Sequence, residues 1–153
     1  MTDIDARLAE LGLTLPDAPA PAANYVPFVI SGQMLYVSGQ VSNGPDNMIC
    51  GRLGADMDVA AGAEAAKTCA LSLLAQVRAA LGGDWGRLKR VVKLTAFVAS
   101  AEGFGDQPKV VNGASDLLVE VLGDSGRHAR SAVGVAALPR GVAVEIEGIF
   151  EIA

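Results

Sequence analysis

Ala129-Arg130-Ser131-Ala132-Val133-Gly134-Val135-Ala136-Ala137-Leu138, then Pro139-Arg140-Gly141, then Val142-Ala143-Val144-Glu145-Ile146-Glu147-Gly148-Ile149-Phe150-Glu151-Ile152 is the stretch that decides the fold of this chain. Two runs rich in β-branched and small apolar residues flank a Pro-Arg-Gly turn, the pattern of two strands joined by chain-reversing punctuation. Read as a hairpin, it puts Arg130 near the far end of one strand and Glu145 nearer the turn on its partner, so the two need not be direct cross-strand neighbours. Glu145 interrupts an apolar strand and is hard to explain as filler.

Working upstream, Leu88–Val98 reads as another strand, alternating through Val92, Leu94, Ala96 and Val98, with a helix from about Gln107 to Leu122 after it. Before it, Val59–Leu81 is a long Ala-rich helix. Asp58 is its N-cap, Ala66, Cys69, Ala70, Leu73, Leu74 and Val77 form its apolar stripe, and Gly82-Gly83 stops it. Residues 41–56, rich in Gly, Asn and Asp, predict a loop with at most a short strand near Gly51-Arg52-Leu53.

Tyr25–Ile30 and Gln33–Gln40 predict a hairpin turning at Ser31-Gly32, with Pro27 tolerable only at an edge or bulge. At the start of the chain, Thr2 or Asp3 can cap a short helix carrying Ile4, Leu8 and Leu11 on one face, ended by Gly12. The Pro/Ala segment Leu15–Pro21 should then run extended over the surface as an arm into the first strand. The order β-β-α-β-α-β-β predicts an α/β (α+β) fold, a single mixed sheet with two long helices on one face, in one domain spanning 1–153. Val135, Ala137, Ile146 and Phe150 are expected on the other face, and such an uncovered apolar face predicts oligomerisation.

The formal net charge of −5 and pI near 4.7 argue against nucleic-acid binding, which needs a clustered basic surface. The acidic start, Met1-Thr2-Asp3-Ile4-Asp5, lacks a secretory leader, and no apolar run reaches membrane-spanning length, so a cytoplasmic protein with no membrane partner is expected. Cys50 and Cys69 are too far apart for a CxxC motif and read as free thiols, one in a loop and one mid-helix. Neither a phosphate-binding loop nor a dinucleotide fingerprint is present, so no cofactor is expected.

His128 is the only histidine, which leaves triads and multi-histidine metal sites short of a partner; it reads as a loop residue beside the last-but-one strand. Arg130 suits a small carboxylate, because its planar guanidinium offers two parallel charge-assisted hydrogen bonds. Equally, it could pair with an acid or lie at the surface.

The segment Ala129-Arg130-Ser131 to Leu138-Pro139, followed by Val144-Glu145-Ile146-Glu147, resembles the C-terminal motif of the YjgF/YER057c/UK114 (Rid) family, and Ser38-Gly39-Gln40 after a strand matches as well. The likeness runs from Tyr25 to Ile152. It implies a chorismate-mutase-like subunit, a homotrimer with ligand clefts between subunits, and hydrolysis of reactive enamines and imines such as 2-aminoacrylate to 2-keto acids and ammonia without metal or cofactor. By the same resemblance Arg130 clamps the carboxylate, Glu145 positions or activates the attacking water, and Tyr25, Ser38, Gly39 and Asn112 line the cleft.

Taken one at a time, Tyr25 can be an ordinary strand aromatic, Ser38 a strand-end cap and Asn112 a helix residue bonded to a loop. The sequence also departs from the family: the position two after the arginine, commonly Cys, is Ala132, the loop after Gln40 differs, and the arm of residues 1–24 is longer. A non-catalytic keto-acid binder would use the same cleft while tolerating loss of Glu145. The endoribonuclease activity often ascribed to the family fits poorly with an acidic chain lacking a basic, aromatic-interleaved surface.

Overall fold

The computed structural model describes residues 3–20 and 23–153, so Thr2 and Pro21 lie outside the described residues. Its principal elements are α1 (Ile4–Glu10), β1 (Phe28–Ser31), β2 (Met34–Val41), α2 (Val59–Ala80), β3 (Leu88–Ala99), α3 (Gln107–Leu122), β4 (Ala129–Val135) and β5 (Val144–Ile152). α1 and α2 begin where a short polar side chain satisfies an orphan N–H group: Asp3 accepts from Ala6 N at 3.2 Å and Asp58 from Ala61 N at 2.8 Å. Past Ala80, Gly82 and Gly83 both adopt positive φ, the left-handed conformation that ends a helix cheaply only at glycine.

The five strands form one sheet in the order β1-β2-β5-β3-β4. The expected hairpin between the last two strands is not there. Instead β3 lies between them, antiparallel to β5 and parallel to β4. The cause is α3, which links β3 to β4 and returns the chain to the starting end of the sheet, so that β4 can only run parallel to β3. The segment after β4 then passes over the end of β3, tied there by Ala99 N to Ala143 O and Gly51 N to Gly141 O, before β5 descends on the other side.

The first hairpin turns at Gly32-Gln33, one residue later than expected, because Ser31 pairs with Met34. Tyr25–Pro27 precede the strand, as Pro27 has no N–H to give a ladder. On β3 a register irregularity between Val91 and Lys93 makes Val91, rather than Val92, the buried member of the alternation.

Strand alternation also corrects which residues face away from the helices. Val144, Ile146, Phe150 and Ile152 point into the core, with Ile146 and Phe150 at 0% exposure, so neither lies on the uncovered face. Val135 does share the outward phase of β4, whereas Ala137 lies beyond its end. The outer face is still apolar through Val29, Tyr36 and Val133, about half exposed, and the partly buried Phe97 and Ile149. Glu145 and Glu147 alternate with Ile149 along it.

On the inner face α2 packs against β2 and β5, while α3 packs against β3 and β4. All six residues of the expected α2 stripe are fully buried. The helices approach closest at Gly113, where a Cβ would run into the backbone of Ala63. Leu15 of the arm is also buried in this core. Cys69 is buried in α2 and Cys50 exposed in the loop, both free thiols. No helix among the described residues is long and apolar enough to cross a membrane.

Candidate functional site

Tyr25, Ser38, Gly39 and Glu145 line one cavity of about 430 Å³, together with Gln40, Met48, Arg140 and arm residues. Glu145 sits opposite Val41 on one side and Phe97 on the other. The β2–β5 register shifts between Val37 and Gln40, and this irregularity brings the Gly39 backbone against the Glu145 side chain. A Cβ on Gly39 would lie 3.0 Å from Glu145 Cδ, so glycine here is what admits the carboxyl group.

Ser38 holds the strand entry: its hydroxyl donates to Val26 O at 2.8 Å and its N–H to Pro27 O at 2.9 Å, which fixes Tyr25 at the cavity rim. Behind it Gln40, almost fully buried, donates to Ser38 O at 2.9 Å. Burial pushes the Glu145 carboxyl above the usual glutamate range, and the nearby Glu147 carboxylate adds to the effect.

Arg130 and Asn112 are elsewhere. Arg130 pairs with Leu94 on β3, in the inward phase of β4, and its side chain runs along α3. Nη1 donates to Asn112 Oδ1 at 2.9 Å and to Ser115 Oγ at 3.1 Å, and Nη2 donates to Pro108 O at 3.3 Å. All three acceptors are neutral, and Arg130 forms no ion pair among the described residues. Of its five N–H donors, Nε–H and one on Nη2 have no partner among the described residues.

His128 completes the support. Its Nδ1 lies 2.7 Å from Gly126 O, which can only accept, so Nδ1 carries the proton and Nε2 accepts from the Ser115 hydroxyl at 2.9 Å. Burial pushes the His128 pKa down, opposed by the bond to Gly126 O and assisted by the Arg130 charge, which favours the neutral ring this pattern needs. His128 is thus a loop residue beside β4, as expected, with an added part in orienting Ser115.

The expected site residues therefore divide into two groups: Tyr25, Ser38, Gly39 and Glu145 line one cavity, which Ser72 of α2 also borders, while Arg130 and Asn112 meet along α3, with Glu145 in the outward phase of β5 and Arg130 in the inward phase of β4. Neither Arg130 nor Asn112 lines the cavity that holds Glu145. Sequence reasoning missed Ser115 and the Pro108 carbonyl, although Pro108, Asn112 and Ser115 fall at helical i, i+4, i+7 spacing and so share a face of α3. It also missed Gln40 and the arm, whose contribution depends on long-range packing. No cluster of His, Cys, Asp and Glu able to hold a metal occurs among the described residues.

With this geometry in view, residues 5–144 match the family described as "YjgF/chorismate_mutase-like, putative endoribonuclease". The chain belongs to the YjgF family. Protein TCP17 of Trypanosoma cruzi is 51% identical to it, over 97% of this chain and 94% of that protein. A 2-iminobutanoate/2-iminopropanoate deaminase of Dermatophagoides farinae is 28% identical, over 92% and 94%.

Among solved structures of similar shape, the protein Atu1372 of Agrobacterium tumefaciens, of unknown function, has a TM-score of 0.91 at 53% identity, covering 98% of this chain and 92% of that one. Escherichia coli TdcF with bound serine has a TM-score of 0.62 at 26% identity, covering 89% and 94%. The mixed five-stranded sheet with its helices is accordingly an α+β fold of the YjgF/chorismate-mutase-like kind.

Proposed function

We propose that this YjgF-family protein hydrolyses reactive 2-imino acids and their enamine tautomers to 2-keto acids and ammonia, in clefts formed between the subunits of a homotrimer. The observation that carries the reading is the uncompensated guanidinium of Arg130, held by neutral oxygens with two donors to spare. Such a group binds a carboxylate at little cost in rearrangement, since its geometry is already set. Its partner in the reaction, Glu145, is supplied by the neighbouring subunit, because one chain keeps the two on opposite faces. The apolar outer face, with Tyr36 and Val133 exposed, is the surface that subunits would bury.

A protonated imine is already electrophilic, so the protein needs only to hold it and to direct water at the imine carbon. Arg130 fixes the carboxylate. Glu145, whose raised pKa makes it a stronger base than a solvated glutamate, orients that water and takes its proton as the C–O bond forms. The resulting carbinolamine expels ammonia as the C–N bond breaks, leaving the keto acid. The deaminase from Dermatophagoides farinae supports the chemistry, and the serine bound to E. coli TdcF supports a small carboxylate ligand.

The test is release of ammonia or keto acid from freshly generated 2-aminoacrylate and 2-iminobutanoate. Wild-type protein should accelerate release and Arg130→Ala, confirmed to be folded, should not. If the wild type gives no acceleration over buffer, the site is one for binding keto acids without turnover.

A further inference from the structure

The deaminase reading accounts for Arg130 and Glu145 but leaves the arm without a task, although the arm is built into the cavity wall. Pro19, Ala20 and Ala23 line the same cavity as Ser38 and Glu145. The arm is held there at two points: Leu15 is buried in the core, and Gln76, 1% exposed on α2, donates Nε2 to Pro19 O at 2.7 Å. The same Nε2 lies 3.4 Å from Gln40 Oε1, and Gln40 in turn donates to Ser38 O, so the arm and the Ser38-Gly39 bulge are tied to one pair of buried amides.

A second cavity of about 380 Å³ lies under the arm, lined by Leu15, Pro16, Pro45 and Leu71 among others. It shares Pro19, Asn43 and Ser72 with the first, so the two adjoin. Among the described residues Asp17 is the only charged one in its lining, which disfavours an anionic occupant.

We propose that these adjoining cavities form a side-chain subsite walled by the arm, and that the ligand of this protein is a 2-imino or 2-keto acid bearing an unbranched apolar side chain longer than ethyl. The inference rests on the proposed site for its placement of the ligand's polar end at Glu145. A methyl or ethyl group leaves the space under the arm to water. Each further methylene leaves water for the proline and leucine part of the wall, Leu15, Pro16, Pro19, Pro45 and Leu71, beside the polar Thr68 and Ser72, which strengthens binding by up to about fourfold.

The experiment uses the full chain. Pyruvate, 2-oxobutanoate, 2-oxopentanoate and 2-oxohexanoate are titrated by calorimetry, and the corresponding imines, generated in place by an amino-acid oxidase, are assayed for kcat/KM. Affinity should rise by up to about fourfold per methylene beyond 2-oxobutanoate. Ala20→Trp and Thr14→Trp, both at exposed positions on the arm, should flatten that rise by filling the space. A series that is flat or falls with length, a rise left unchanged in both variants, or no binding of any of the acids overturns the proposal. If the affinities rise and flatten as stated while no imine is turned over, the subsite stands and the deaminase reading alone fails.

Discussion

Glu145 has a cost in the folded protein. Because burial and Glu147 raise its pKa, the native state holds this proton more tightly than the unfolded chain does. Its contribution to stability is therefore full below the ordinary glutamate range and lost as pH rises through the elevated folded value. Glu145→Gln, which does not ionise, should melt at a higher temperature than wild type near neutral pH, with the difference closing as the buffer approaches about pH 4. An equal difference in Tm at both pH values would show that the carboxyl titrates normally. A second residue-scale expectation concerns Ser115, which accepts from Arg130 and donates to His128. Ser115→Ala should leave the fold intact and raise KM for the imine about tenfold with a smaller change in kcat, the size expected for one hydrogen bond to a charged group. An unchanged KM would mean that Asn112 and Pro108 suffice to hold the guanidinium.

At the scale of elements, α3 is both the crossover that makes β3 and β4 parallel and the platform under Arg130. Its position over the sheet is set where it meets α2, and Gly113 is what allows the close approach to Ala63. Because the obstacle is backbone, a side chain here cannot be accommodated by a rotamer change and the helices must separate. Gly113→Ala should lower stability by about 1–3 kcal/mol despite alanine's better helix propensity, measured by denaturant unfolding. Since the displacement carries Asn112 and Ser115 with it, binding at Arg130 should weaken in the fraction that remains folded. A gain in stability would place the crossing elsewhere.

For the whole molecule, the separation of Arg130 and Glu145 onto opposite faces makes a prediction that no single-chain site could satisfy. Arg130→Ala and Glu145→Gln should each be inactive alone, yet mixed by unfolding and refolding together they should recover about a quarter of wild-type activity, the chance that a given interface receives both intact residues. Light scattering should show the trimer throughout. No recovery from a mixture shown to exchange subunits would mean that both residues act within one chain, against their positions here.

The sequence by itself determined most of the elements, the fold class and the family likeness. Capping at Asp58, the apolar stripe of α2 and the double glycine after it are local features, and local features suffice to delimit a helix. α3 falls at Gln107–Leu122, where the pattern puts it. Arg130 and Glu145 stand out because a charge in an apolar strand needs a reason wherever the strand lies. Only the tertiary structure decided how the strands are ordered. Pro139-Arg140-Gly141 reads as a hairpin turn from either side, yet α3 forces β4 parallel to β3, and the link then has to cross the end of β3 to deliver β5. That choice reversed the face assigned to Ile146 and Phe150 and separated Arg130 from Glu145. Tertiary packing also brought the arm to the cavity that holds Glu145, where Gln76 bonds Pro19 O, a contact between residues far apart in the chain that no local pattern encodes. Periodicity fixes which side chains share a face of an element, but pairing and crossover fix what that face meets.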